Sequence, residues 1–121
     1  MQSLPSLEGV TKAEKRLKGL IRVTPLEFNK RLSINTNSSI LLKREDVQQI
    51  RSFKIRGAYN KISSLDEKDF KNGIICASAG NHAQGFAFSC KKLKINGEVY
   101  MPATTPQQKI SQVRMFGGDY I

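Results

Sequence analysis

Ile74-Ile75-Cys76-Ala77-Ser78-Ala79-Gly80-Asn81-His82-Ala83-Gln84-Gly85 is the stretch whose reading decides the fold. Its first four residues are β-branched or small and uncharged, the pattern of a buried strand. Four small or capping residues follow, and residues 81–93 then read as a helix. Further on, Glu98-Val99-Tyr100-Met101 reads as another strand. Thr105-Pro106-Gln107-Gln108 marks a helix start, with Thr105 as N-cap, Pro106 in the first helical position and Gln108 completing a capping box. Ile110, Val113 and Phe116 supply that helix's buried face, and Gly117-Gly118 stop it. Asp119-Tyr120-Ile121 reads as the opening of one more strand. Strand, helix, strand, helix, strand in this order predicts an α/β fold of three layers, a parallel sheet with helices on both faces.

Upstream, Leu7, Val10, Ala13, Leu17 and Leu20 recur at spacings of three and four, which predicts an amphipathic helix with Ser6 as its N-cap. Pro25 pushes Thr24 into an extended conformation and breaks that pattern. Ile40-Leu41-Leu42 reads as a short strand, ended by the charged run Lys43-Arg44-Glu45-Asp46. Residues 52–65 read as a helix carrying Ile55, Ala58, Tyr59 and Ile62 on one side. The sequence stops as a new strand begins, so it is expected to be a portion of a longer chain.

With 39 % hydrophobic and 25 % charged residues, the composition is that of a folded domain. The formal charge is +10, from 20 Lys and Arg against 10 Asp and Glu. A nucleic-acid-binding module would carry such an excess. Here the basic residues are scattered from Lys12 to Arg114, with no run longer than two and no aromatic residues interleaved in a stacking pattern, which is the pattern of a solvated surface. Cys76 and Cys90 lie in apolar stretches without metal-ligand spacing and read as buried, reduced thiols. The N-terminal residues lack the apolar core of a signal peptide, and no apolar run approaches the ~20 residues a bilayer requires. A cytoplasmic protein, bound neither to membrane nor to nucleic acid, is the expectation.

Two constellations carry chemistry. In Ser52-Phe53-Lys54-Ile55-Arg56-Gly57-Ala58, Lys54 stands near a helix start, where the dipole disfavours a cation, and its amine can condense with an aldehyde. Phe53 beside it can cover a flat ring. A lysine on a helix is, taken alone, simply a solvated residue. In Ser78-Ala79-Gly80-Asn81, a strand passes into a helix whose unpaired N–H groups attract anions, and the small residues let a carboxylate reach the backbone. An ordinary turn capped by Asn81 is the competing reading. His82 is the only histidine, so no histidine-based metal cluster or catalytic dyad is available, and it also fits as a hydrogen-bonded residue of the first helical turn.

Lys43-Arg44-Glu45-Asp46, Ser52-to-Ala58, Ser78-to-Gly85 and Met101-Pro102-Ala103-Thr104-Thr105-Pro106 with Lys109 follow one another in a register that resembles the threonine dehydratases. These belong to the tryptophan-synthase-β-like class of pyridoxal-phosphate enzymes. The resemblance runs from about Thr24 to Ile121. It implies that residues 1–45 begin a large cofactor domain and residues 46–121 form part of a small substrate-side domain, the remainder of the catalytic domain and any regulatory domain lying elsewhere. It implies that Lys54 is the Schiff-base lysine and the base that takes the substrate α-proton. Phe53 would pack beside the cofactor, and Asn81 would hydrogen-bond its ring hydroxyl. Ser78, Ala79, Gly80, Asn81 and His82 would form the loop that grips the substrate carboxylate.

The implied reaction converts L-threonine to 2-oxobutanoate and ammonia, the first step towards isoleucine, and the implied assembly is a homo-oligomer. Related serine racemases carry a second serine where this chain has Ala79, and a methyl group cannot transfer a proton, so elimination is favoured over racemisation. The stretch Thr104-Thr105-Pro106…Gln108-Lys109…Gln112-Val113 looks closer to the biosynthetic enzymes than to the catabolic serine/threonine dehydratases, which remain the alternative. The family's glycine-rich phosphate loop and its pyridine-nitrogen partner have no counterpart in this sequence. The 121 residues alone are therefore expected to be inactive.

Overall fold

The computed structural model describes residues 4–121. Helix α1 (Leu7–Leu17) begins where the sequence places it, with the Ser6 hydroxyl accepting from the Gly9 N–H at 3.1 Å. Its apolar stripe is largely open, however. Leu17 is buried while Leu7 and Val10 stay exposed. Two short strands follow, β1 (Leu26–Phe28) and β2 (Leu41–Lys43), paired antiparallel with Leu26 opposite Lys43. Between them lies α2 (Lys30–Thr36), opened by the Asn29 side chain accepting from the Leu32 N–H at 2.9 Å and closed by Asn37 in the left-handed region at φ 49°.

After a 3-10 turn at Glu45–Val47 come α3 (Lys54–Ile62), α4 (Glu67–Phe70), β3 (Ile74–Ala77), α5 (Asn81–Leu93), β4 (Gly97–Tyr100) and α6 (Gln107–Gly117). Strands β3 and β4 pair in parallel, Ile74 opposite Gly97 and Ala77 opposite Tyr100, as the strand–helix–strand order requires. One face of this pair turns Cys76 and Val99 into the core that α5 supplies. On the other face Ile75 and Tyr100 are exposed.

The centre of the fold is α5. Its Phe86 and Cys90 join Ile62, Cys76 and Ile95; its Phe88 joins Ile50 and Ile55; its Ala83 and Ala87 join Val113. A helix apolar on every side has to be buried on every side, and α3, α6 and both strands pack around it. The fit is tight at the start of β4. A Cβ on Gly97 would fall 2.7 Å from Cys90 Sγ and 2.8 Å from Phe86 Cε1, so no side chain is admitted there.

Two sequence expectations give way. Thr105 does not cap α6. Its hydroxyl and its N–H both donate back to the Pro102 carbonyl, at 2.7 and 2.9 Å, closing a turn that aims the side chain away from the helix. Pro106, extended at ψ 137°, takes the cap position, and no capping box forms. The expected strand at 119–121 is instead a 3-10 turn at Gly118–Tyr120. Gly118, at φ 57°, turns the chain back so that Tyr120 and Ile121 pack on the Phe86 and Cys90 cluster. Among the described residues no helix is long and apolar enough to cross a membrane.

Candidate active site

Lys54 is the first residue of α3, and no side chain caps that helix start. The chain arrives there through a tightly held loop. Ile50 and Ser52 are buried, Ile50 against Phe88 of α5. Phe53 is treated differently: it is 60 % exposed. The Lys54 Nζ lies 5.4 Å from the centre of that ring, within cation–π range. An amine and an open aromatic face thus occupy the same spot on the surface.

Residues 78–81 are the second candidate segment. Strand β3 ends at Ala77, and the Ser78 N–H donates to the Tyr100 carbonyl at 3.1 Å, tying the loop to β4. The Gly80 N–H donates to Ser78 Oγ at 3.2 Å. A Cβ on Gly80 would meet nothing within 4 Å, so the backbone here faces open space. Helix α5 starts at Asn81 without a side-chain cap. Its first N–H groups are free for an anion. Ser78, Ala79 and Gly80 are half-buried and Asn81 is exposed.

The two halves meet at Gly85. A Cβ on Gly85 would lie 3.0 Å from the Lys54 carbonyl oxygen and 3.1 Å from its carbonyl carbon, so the first turn of α3 rests on α5 one turn after Asn81. This contact ties the turn that carries Phe53 and Lys54 to the helix that begins at Asn81. His82 is exposed and lines a groove of about 610 Å³ with Gly57, Ala58 and Ile62 of α3 and Cys76 of β3.

Several supporting residues were not singled out by sequence. The buried Gln48 donates to the Arg22 carbonyl at 2.8 Å and accepts from the Arg22 N–H at 3.1 Å, acting as a strand partner for that segment. Gln84 donates to Gln112 Oε1 at 2.9 Å, joining the first turn of α5 to α6. Glu45 receives both Arg56 Nε, at 3.0 Å, and Arg56 NH2, at 2.8 Å. This pair links the charged run at 43–46 to the Lys54 segment. The only signal for it in the sequence was the presence of both charges within motifs already noted. The Arg56 guanidinium, helped by the Thr24 hydroxyl, holds the Glu45 carboxyl below the usual carboxylate range although burial opposes the shift. Burial pushes the Cys90 thiol up to about 12, with Cys76 adding to it.

An exposed primary amine, an open ring face and a side-chain amide at an uncapped helix start make a donor set that fits an aldehyde-bearing heteroaromatic group. Over residues 17–121 the sequence matches the family described as pyridoxal-phosphate dependent enzyme, and the chain belongs to that family. Among individual relatives, it is 52 % identical over 119 residues to the biosynthetic L-threonine dehydratase IlvA of Bacillus subtilis. That match covers 98 % of this chain and 28 % of the relative, so the chain spans little more than a quarter of the relative's length. Processed threonine deaminase isoform 2 of Solanum lycopersicum is 40 % identical with a TM-score of 0.80, over 94 % of this chain and 34 % of that one. Serine racemase of Dictyostelium discoideum is 31 % identical with a TM-score of 0.84, over 93 % and 37 %. These solved structures confirm the fold class.

Proposed function

We propose that the protein carrying this chain is a pyridoxal-phosphate-dependent threonine ammonia-lyase of the biosynthetic type, converting L-threonine to 2-oxobutanoate and ammonia. The observation that supports the reading is the contact of the Lys54 backbone with Gly85, which joins the turn carrying an exposed amine and an open aromatic ring to the helix that begins at Asn81. Identity of 52 % to the Bacillus subtilis enzyme supports the substrate.

Bound pyridoxal phosphate supplies an electron sink for charge developing at the substrate α-carbon. Lys54 would hold its aldehyde, and its Nζ would take the substrate α-proton. Phe53 would pack against the ring, and the Asn81 amide would donate to the ring hydroxyl. Ser78, Ala79, Gly80, Asn81 and His82 bind the substrate carboxylate at the start of α5, where N–H groups and helix dipole favour an anion. Ala79 offers no proton on the face opposite Lys54, which directs the site to elimination.

In this reading residues 1–45 open the cofactor domain and residues 46–121 contribute to the substrate-side domain, a division supported by the separation of the β1–β2 and β3–β4 sheets. It also places the protein in the cytoplasm, in keeping with its free, buried thiols, as a homo-oligomer acting on a small amino acid. The test is the complete gene product, assayed for 2-oxobutanoate from L-threonine with added cofactor. Lys54→Ala should abolish turnover. Full activity in that variant would overturn the reading.

A further inference from the structure

We propose that Glu45 is a positioning residue for Lys54, acting through Arg56; the inference rests on the reading of Lys54 as the lysine that holds the cofactor. Successive residues of a helix point about 100° apart. Lys54, Ile55 and Arg56 form the first turn of α3, and each is held from a different direction. The Lys54 carbonyl rests against Gly85. Ile55 is fully buried against Ile50 and Phe88. Arg56 is gripped by the Glu45 carboxylate through two parallel hydrogen bonds, at 3.0 and 2.8 Å. Together these restraints fix the rotation of the turn, and hence the direction in which the Lys54 side chain leaves the backbone.

The Glu45 end of the fork is itself anchored. Thr24, 4 % exposed, donates its hydroxyl to Glu45 Oε1 at 2.6 Å, and the Lys43 Nζ donates to the Thr24 carbonyl at 2.6 Å. The loop between Glu45 and Arg56 carries one unfavourable residue, Arg51 at φ 55°. A side chain there persists only where its surroundings over-determine it. Buried Gln48, Ile50 and Ser52 flank it, and the Glu45–Arg56 fork closes the loop across its ends. Bidentate pairing holds orientation as well as distance, which a lysine in place of Arg56 would not reproduce.

The experiment uses the complete gene product saturated with pyridoxal phosphate, and reads kcat and KM for L-threonine well below each variant's melting midpoint. Glu45→Gln keeps an acceptor for Thr24 but loses the charge that orients the fork. Its kcat should fall roughly ten- to a hundred-fold, the scale of a displacement of about 1 Å at a reacting group, with KM changed by less than about threefold. Arg56→Lys should lose a similar factor, and the double variant should be little worse than either alone, because both remove one device. Should Glu45→Gln fail to fold, Thr24→Val, which leaves the fork but frees the carboxylate, should lower kcat by about three- to tenfold.

A Glu45→Gln protein, or in its place a Thr24→Val protein, that melts earlier yet keeps wild-type kcat would overturn the proposal by showing the network to be merely structural. Failure of the underlying reading is separable. It appears as activity surviving in Lys54→Ala, whereas failure of the positioning role alone appears as an inactive Lys54→Ala beside a fully active Glu45→Gln.

Discussion

Replacing Gly85 by alanine sets two effects of comparable size against each other. In an open helix the change gains about 1 kcal/mol, because alanine loses less backbone entropy than glycine. At this position the new Cβ would lie 3.0 Å from the Lys54 carbonyl oxygen, 3.1 Å from its carbon and 3.3 Å from Ile50 Cδ1. Two of these atoms are backbone, so relief requires the first turn of α3 to retreat. Ile50, 1 % exposed, has nowhere to go. Overpacking of this kind costs about 1–3 kcal/mol, which leaves a net loss on the order of 1 kcal/mol. Gly57 is the internal control: it lies within α3, and a Cβ there meets nothing within 4 Å. Gly57→Ala should therefore stabilise by about 0.5–1 kcal/mol. Urea unfolding followed by circular dichroism reads both. The reasoning is refuted if Gly85→Ala stabilises as much as Gly57→Ala does, since α3 would then not press on α5 where the two halves of the site meet.

Two further outcomes follow from the charged and sulfur-bearing groups. Glu45 titrates below its ordinary value in the folded chain, so its pairing stabilises fully above the ordinary carboxylate pKa and less as the pH falls through the lowered folded value. At neutral pH wild type should exceed Glu45→Gln by about 2 kcal/mol, a typical value for hydrogen bonds to a charged group. That gap should close in acid, and a gap independent of pH in denaturant titrations would contradict the assignment. Cys90, pushed up to about 12 by burial, should resist iodoacetamide at pH 8 until the chain opens. Alkylation at the rate of free cysteine, with secondary structure intact, would count against the buried core.

Where burial and sequence period coincide, the elements were legible. Residues of α3, β3, α5, β4 and α6 alternate as the core demands, and Ile55, Ala58, Ile62 and Val113 are buried as their spacing implies. By contrast, α2 buries none of its residues, so it leaves no apolar period to read. Its only marks were Asn29 and Asn37 at its two ends. Strand β1 is three residues long, too short for the alternation of Leu26, Glu27 and Phe28 to stand out. In α1 the period was right about the helix but not about its surroundings, because nothing among the described residues covers Leu7 and Val10. Thr105 shows the limit of capping patterns: a hydroxyl can bond backwards as readily as forwards. The proposed site residues stood in recognisable motifs. What the sequence could not supply was the contact at Gly85 and the fork between Glu45 and Arg56, each of which depends on how segments distant in sequence pack.

The central claim is that Lys54, among the 13 lysines of this sequence, is the one that holds the cofactor. Borohydride reduction of the complete gene product with pyridoxal phosphate, followed by proteolysis and peptide mass mapping, addresses it directly. The account predicts a single stoichiometric pyridoxyl group on the peptide containing Phe53-Lys54-Ile55, displaced when L-threonine is present before reduction. A stoichiometric label on any other lysine, with Lys54 unmodified, would contradict it.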